Sequence, residues 1–219
     1  YSDPIADGPV IQASYNRALG NGITVRKIME TIKGVSGEGK KLPPLVAMVA
    51  YAIIFRFGAE EFAKLANESG FSGLIIPDLP GDEADEMTAV AKRHGLDVIE
   101  LIAPTTTPER AEKIVQNASG FLYCISIAGI TGERDKLPAE LREQLKWLRT
   151  KTKLPLAVGF GISKPSHVEE LKGLADGAIV GSALVRLVTQ IAEGKADRAL
   201  ALKASGELAE QLTKCAHGK

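Results

Sequence analysis

From Leu42 onward, short apolar runs alternate with amphipathic ones, and that alternation leaves few folds open to the chain. The strand-like runs are Leu45–Val49, Gly73–Ile76, Val98–Ala103, Phe121–Ser126, Leu156–Phe160 and Ala178–Val180. Helical periodicity fills the intervals at Ala59–Asn67, Gly81–Arg93, Pro108–Asn117, Pro138–Thr150 and Pro165–Leu174. Two further helices are expected at Leu184–Glu193 and Lys195–Lys214. Strands that alternate with helices predict a parallel sheet with right-handed crossovers. Because the strands are apolar along their length, both sheet faces should be covered. Ahead of this rhythm, Val10–Leu19 and Val25–Lys33 read as helices, with Pro9 in the first turn of one and Thr24 capping the other.

The stretch Leu154–Val185 carries the strongest chemical signal. It reads strand, glycine turn, helix, strand, glycine turn, helix. At Gly159, Gly161 and Gly181 the backbone is free to turn sharply and approach a ligand, since glycine has no Cβ. The amides of these residues and of Ser182 would then face an anion at a helix start, where the macrodipole favours negative charge. In a (β/α)8 barrel the loops after the last two strands form the usual phosphate site. The stretch is therefore read as a phosphate cup; the plain alternative is a pair of tight strand-to-helix joints.

Bulk properties narrow the rest. The chain has 219 residues, enough to bury one full core, and its 27 basic and 27 acidic side chains cancel. That balance argues against nucleic-acid or membrane-surface binding driven by excess charge. No apolar run reaches membrane-span length, and cytoplasmic residence is the default expectation. The cysteines, Cys124 and Cys215, make neither a disulfide framework nor a metal pair, and no metal site is expected. His94, His167 and His217 fall in or just after helices and are expected to be solvated.

Four more segments at strand ends look chemical. They are Ser2-Asp3-Pro4-Ile5-Ala6-Asp7-Gly8-Pro9, Ile76-Pro77-Asp78-Leu79-Pro80, Ala103-Pro104-Thr105-Thr106 and Ser126-Ile127-Ala128-Gly129-Ile130-Thr131-Gly132. The last has the paired glycine hinges of a closing lid. Asp3, in its Asp-Pro context, reads as a turn former, and Asp78, between Pro77 and Pro80, reads as part of a structural turn. In this order, and with Gly-Phe-Gly-Ile-Ser and Val-Gly-Ser-Ala downstream, the segments resemble the tryptophan synthase α subunit nearly end to end.

The resemblance implies an α/β fold, the (β/α)8 TIM barrel, as a single domain over residues 1–219 holding strands 3–8. Roughly the first one and a half βα units, on the order of 50 residues, would be lacking as given; an open six-stranded sheet is the structural alternative. The implied function is a lyase that cleaves indole-3-glycerol phosphate by retro-aldol to indole and glyceraldehyde 3-phosphate, in tryptophan biosynthesis. It implies no cofactor, and a partnership with a β subunit in an α2β2 heterotetramer. Asp7 matches the family's aspartate, an ionised acceptor for the indole N–H as positive character develops there; otherwise it caps the helix from Pro9. Tyr123 matches a tyrosine lining the indole pocket, and is otherwise a core residue. Thr131 would close over Asp7, and Gly132 would lend an amide to the phosphate, unless the lid is a plain mobile loop. Gly161, Gly181 and Ser182 would hold the phosphate, the serine through its amide.

The family's proton donor is a glutamate on the strand before the opening motif, and no downstream carboxylate matches it. A strand ending Glu-x-Gly-x-Pro is expected upstream of Tyr1. Where the family usually has Tyr-Tyr-Asn-Pro, this chain has Ala50-Tyr51-Ala52-Ile53. That loop faces the β subunit in the family. The alternatives are thus a stand-alone lyase, a catalytically impaired binding or activating partner, or another phosphate-binding barrel enzyme.

Overall fold

The computed structural model describes residues 8–37, 42–81, 83–125, 137–159 and 161–218. The chain divides into two compact units. The first holds Ala18–Tyr123; the second holds the chain from Cys124 onward together with the segment up to Arg17. Helix α1 (Pro9–Gly20) contributes to both.

Within the first unit the described elements are α2 (Val25–Gly37), β1 (Leu45–Met48), α3 (Tyr51–Phe57), α4 (Ala59–Glu68), β2 (Phe71–Ile75), α5 (Asp85–Arg93), β3 (Asp97–Ile102) and α6 (Pro108–Asn117). Strand β4 (Leu122–Ile125) begins here and crosses into the second unit. β1 pairs parallel with β2, Val46 opposite Gly73 and Met48 opposite Ile75, with a register shift between Leu45 and Val46. β2 pairs parallel with β3, Gly73 opposite Asp97 and Ile75 opposite Ile99. The core between helices and strands is built on Ile54, Phe62, Leu74, Met87 and Val98. Phe62 is only 1% exposed and meets Phe57 edge to face at 5.9 Å, so its truncation to alanine would cost about 3–5 kcal/mol. Outside the core, the Glu60 carboxylate of α4 accepts from Arg93 and lies 2.7 Å from His94 Nε2, tying α4 to the end of α5.

The second unit adds α7 (Ala139–Lys151), β5 (Leu156–Gly159), α8 (Pro165–Glu169), β6 (Gly177–Ile179), α9 (Ser182–Ala192) and α10 (Arg198–His217). β5 and β6 pair parallel, Val158 opposite Ala178 and Gly159 opposite Ile179. α7 buries Leu141, Leu145 and Leu148, the one-face spacing of an amphipathic helix. Asp176, just before β6, accepts the Leu156 N–H at 2.8 Å and pairs with Arg149 of α7. The guanidinium and the amide hold its carboxyl below the usual range. Arg17 of α1 donates to Thr189 of α9 at 2.7 Å.

Every expected strand is present within a residue or two, and the β1–β2, β2–β3 and β5–β6 pairs are parallel, as the alternation requires. Three helix expectations change. α3 was not anticipated; α5 starts at Asp85 rather than Gly81; and α8 ends at Glu169, turns replacing helix up to Leu174. His167, expected in solvent, is buried at 1% exposure, with its Nδ1 accepting the Ser163 N–H at 3.3 Å.

Candidate functional site

The parallel register of β5 and β6 fixes the relation of the two glycine turns. With Gly159 opposite Ile179, Gly161 and Gly181 each lie two residues past paired positions and leave from the same end of adjacent strands. Gly161 has φ +67, the left-handed region where a side chain is strained, and a Cβ built there would meet nothing within 4 Å. The space beside it is open. Gly181 is the N-cap of α9, and a Cβ there also meets nothing within 4 Å. Its carbonyl accepts the N–H of Leu184 at 3.0 Å and of Val185 at 3.1 Å, which starts the helix. The Ser182 and Ala183 amides precede those bonds, so intrahelical geometry offers them no acceptor. An 11-residue helix with its positive end at this corner suits an anion.

Ser163 follows Gly161 by two residues, and His167 lies on α8. The Ser163 N–H is held by His167, and the Ser163 Oγ is buried without a hydrogen-bond partner. This support was missed in the sequence because a histidine in a short polar helix reads as solvated. The signal available was its i+4 spacing from Ser163.

The remaining expected site residues divide by location. Tyr123 sits half-buried on β4, between buried Leu122 and Cys124. Gly161, Gly181 and Ser182 belong together in the second unit. Asp7, Thr131 and Gly132 lie outside the described residues. Asp78 is in a turn after β2, as expected, and its Oδ1 accepts the Tyr51 N–H at 2.7 Å, the first residue of α3.

Thiol chemistry finds no support. Burial pushes the Cys124 thiol up to about 12, outweighing the nearby Arg149 charge. The Cys215 thiol donates to Glu169 and to the Pro165 carbonyl, and the carboxylate raises it too. Both therefore stay protonated near neutrality, and a protonated thiol is a poor nucleophile. Among the described residues no group of His, Cys, Asp and Glu could hold a metal ion, and no helix is long and apolar enough to cross a membrane.

Comparison with known proteins gives the family. The family described as tryptophan synthase alpha chain matches residues 1–215. The tryptophan synthase alpha chain of Rhodopirellula baltica is 45% identical over 194 residues, 88% of this chain and 70% of that one. That of Methanocaldococcus jannaschii is 47% identical over 188 residues, 86% of this chain and 66% of that one. Among solved structures, tryptophan synthase subunit alpha from Legionella pneumophila superposes with a TM-score of 0.87 at 36% identity, covering 100% of this chain and 79% of that one. A chain from the tryptophan synthase α2β2 complex of Pyrococcus furiosus gives 0.84 at 35% identity, covering 100% and 84%. The fold is accordingly the α/β barrel class of these subunits, and the chain belongs to the tryptophan synthase alpha chain family.

Proposed function

We infer that this chain does the family's work as a lyase of tryptophan biosynthesis, cleaving indole-3-glycerol phosphate to indole and glyceraldehyde 3-phosphate in the cytoplasm. It acts with a β subunit in an α2β2 assembly. The observation that carries the reading for this chain is the pair of glycine turns on adjacent parallel strands, Gly161 beside Gly181 and Ser182, at the start of α9. Their amides take the substrate's phosphate. A group so anchored leaves the indole end to be held elsewhere, by Asp7 at the ring N–H and by Tyr123 along the pocket wall, with Thr131 and Gly132 closing over it.

The chemistry assigns each part a role. Protonation of the indole carbon that bears the glycerol chain, by the glutamate that the family carries on the strand before the opening motif, turns the ring into a leaving group. The bond to that chain then breaks as the adjacent hydroxyl gives its proton to a carboxylate base and becomes the aldehyde. Positive character passes through the ring nitrogen, and a carboxylate accepting the N–H lowers the barrier most when that charge peaks.

Asp7→Ala, made in the protein completed with the strand expected upstream of Tyr1 and assayed for indole release with a β subunit present, tests the reading. Turnover should fall by about 10²–10⁴-fold, the usual range for a lost acid–base or charge-stabilising group, with an unchanged circular dichroism spectrum. Near-normal turnover would remove Asp7 from the reaction. Wild-type protein that binds the β subunit yet releases no indole would reduce the chain to an activating partner.

A further inference from the structure

Glu100 is an acid where the sequence has no use for one. It stands in β3 within Val98-Ile99-Glu100-Leu101-Ile102 and is 3% exposed. Its Oε1 is buried with no hydrogen-bond partner. The other oxygen lies under the loop that follows β2: a Cβ built on Gly81 would come within 2.7 Å of Glu100 Oε2 and 2.9 Å of Ile114 Cγ1 on α6. Only glycine fits this approach, so the backbone at Gly81 closes directly over the carboxyl.

Among the described residues no counter-charge accounts for the burial. The described charged residues of α5 (Asp85, Glu86, Lys92, Arg93) and of α6 (Glu109, Arg110, Glu112, Lys113) are exposed, while the buried positions of these helices are Met87, Val90, Ala91, Ala111 and Ile114. On the β2 side, extending the register past Ile75 and Ile99 sets buried Ile76 opposite Glu100. In the loop itself the Asp78 carboxylate is engaged with the Tyr51 N–H, Glu83 is exposed, and Asp82 lies outside the described residues.

We propose that Glu100 is a protonation-operated latch: neutral, it lets the stretch from Pro77 to Gly81 pack down over β3, and on ionising it lifts that stretch to reach water. The loop leaves the C-terminal end of β2, the rim on which barrel enzymes carry their sites, and it also carries the Asp78 clamp on α3. Opening would therefore loosen both the rim and the start of α3.

The direction follows from burial. Desolvation alone pushes the carboxyl from 4.5 up to about 7. The closed loop thus binds a proton more tightly than the open one, and closure is fully favoured below about pH 4.5 and weakens as pH rises through 7. Between pH 6 and pH 8 those two values imply a loop-opening constant that rises about tenfold.

Hydrogen exchange on the intact protein reads this directly. Once the intrinsic pH effect is removed, the Leu79 and Glu83 amides, bonded to the Ile76 and Pro80 carbonyls, should lose about tenfold protection from pH 6 to pH 8. Glu100→Gln keeps the shape and removes the titration, so its protection should be flat with pH. Equal pH dependence in both proteins, or none in the wild type, overturns the latch. Should the variant fail to fold, the carbon-13 titration of the Glu100 carboxyl in the wild type decides: a midpoint below about 5 refutes the proposal, and one near 7 supports it.

Discussion

A single dihedral angle makes the sharpest demand at the candidate site. Gly161 sits at φ +67 with open space around its Cα, so the position is held for its backbone conformation and not by crowding from the protein. A β-branched residue there would meet strain of roughly 1–2 kcal/mol and would also fill the space beside the turn. Gly161→Val should therefore raise KM for the phosphate substrate by about tenfold or more, equivalent to about 1.4 kcal/mol of lost binding, while kcat falls less. An unchanged KM would mean that the turn is only a joint. The motif itself was legible, because glycine at a strand end is unambiguous. Its support was not: His167 looks polar in the sequence yet is buried by tertiary packing, as is the Oγ of half-buried Ser163. Glu100 could have been singled out, as the one acid in the apolar run Val98–Ala103, but the approach of Gly81, 19 positions earlier in the chain, to its carboxyl is set by tertiary packing.

At the scale of elements, α3 shows how a helix can be hidden from local reasoning. Ala50-Tyr51-Ala52-Ile53 offers no capping side chain, and the N-cap Ala50 makes no side-chain bond. The cap is supplied by Asp78, 27 positions away on the loop after β2, and no window of sequence contains both. A carboxylate from the neighbouring strand end fixes this corner. Asp78→Ala should lower stability by about 1 kcal/mol, the usual cost of a lost cap, and Asp78→Asn should retain most of it because the amide oxygen still accepts the Tyr51 N–H. Thermal melts of the pair check this, and equal losses in the two variants would show that charge rather than the hydrogen bond matters. The late start of α5 has the complementary cause. Gly81 belongs by periodicity to the helix, yet its approach to Glu100 keeps it in the loop, and the helix begins only at Asp85. Strands were located better than helix ends because apolar content marks a buried strand over its whole length, whereas a helix end is set by what the rest of the fold supplies.

For the molecule as a whole, charge and apolar exposure act together. Equal numbers of acidic and basic side chains put the isoelectric point near 7.0. Phe55 is 73% exposed, Leu200 57% and Leu202 55%, so apolar contacts between molecules are opposed by little net repulsion at neutral pH. The described ion pairs do not alter this, since exposed pairs such as Lys214–Glu210 are screened by water and cancel in net charge. Solubility should pass through a minimum near pH 7, and its two sides should differ. Toward pH 5.5 the carboxylates as a class begin to gain protons and the net charge turns positive. Toward pH 8.5 lysine and arginine barely titrate, and the charge reaches only about −1. Precipitant-induced solubility curves should thus rise more steeply on the acid side. The comparison is fair because the fold is not under strain there: a neutral Glu100 favours the closed loop at pH 5.5, and the Asp176 carboxyl, held below its usual range by Arg149 and the Leu156 amide, stays ionised. A symmetric minimum, or one displaced to acid pH, would show that self-association follows the apolar patches alone, and substitution of Phe55 by serine rather than a change of pH would then be what relieves it.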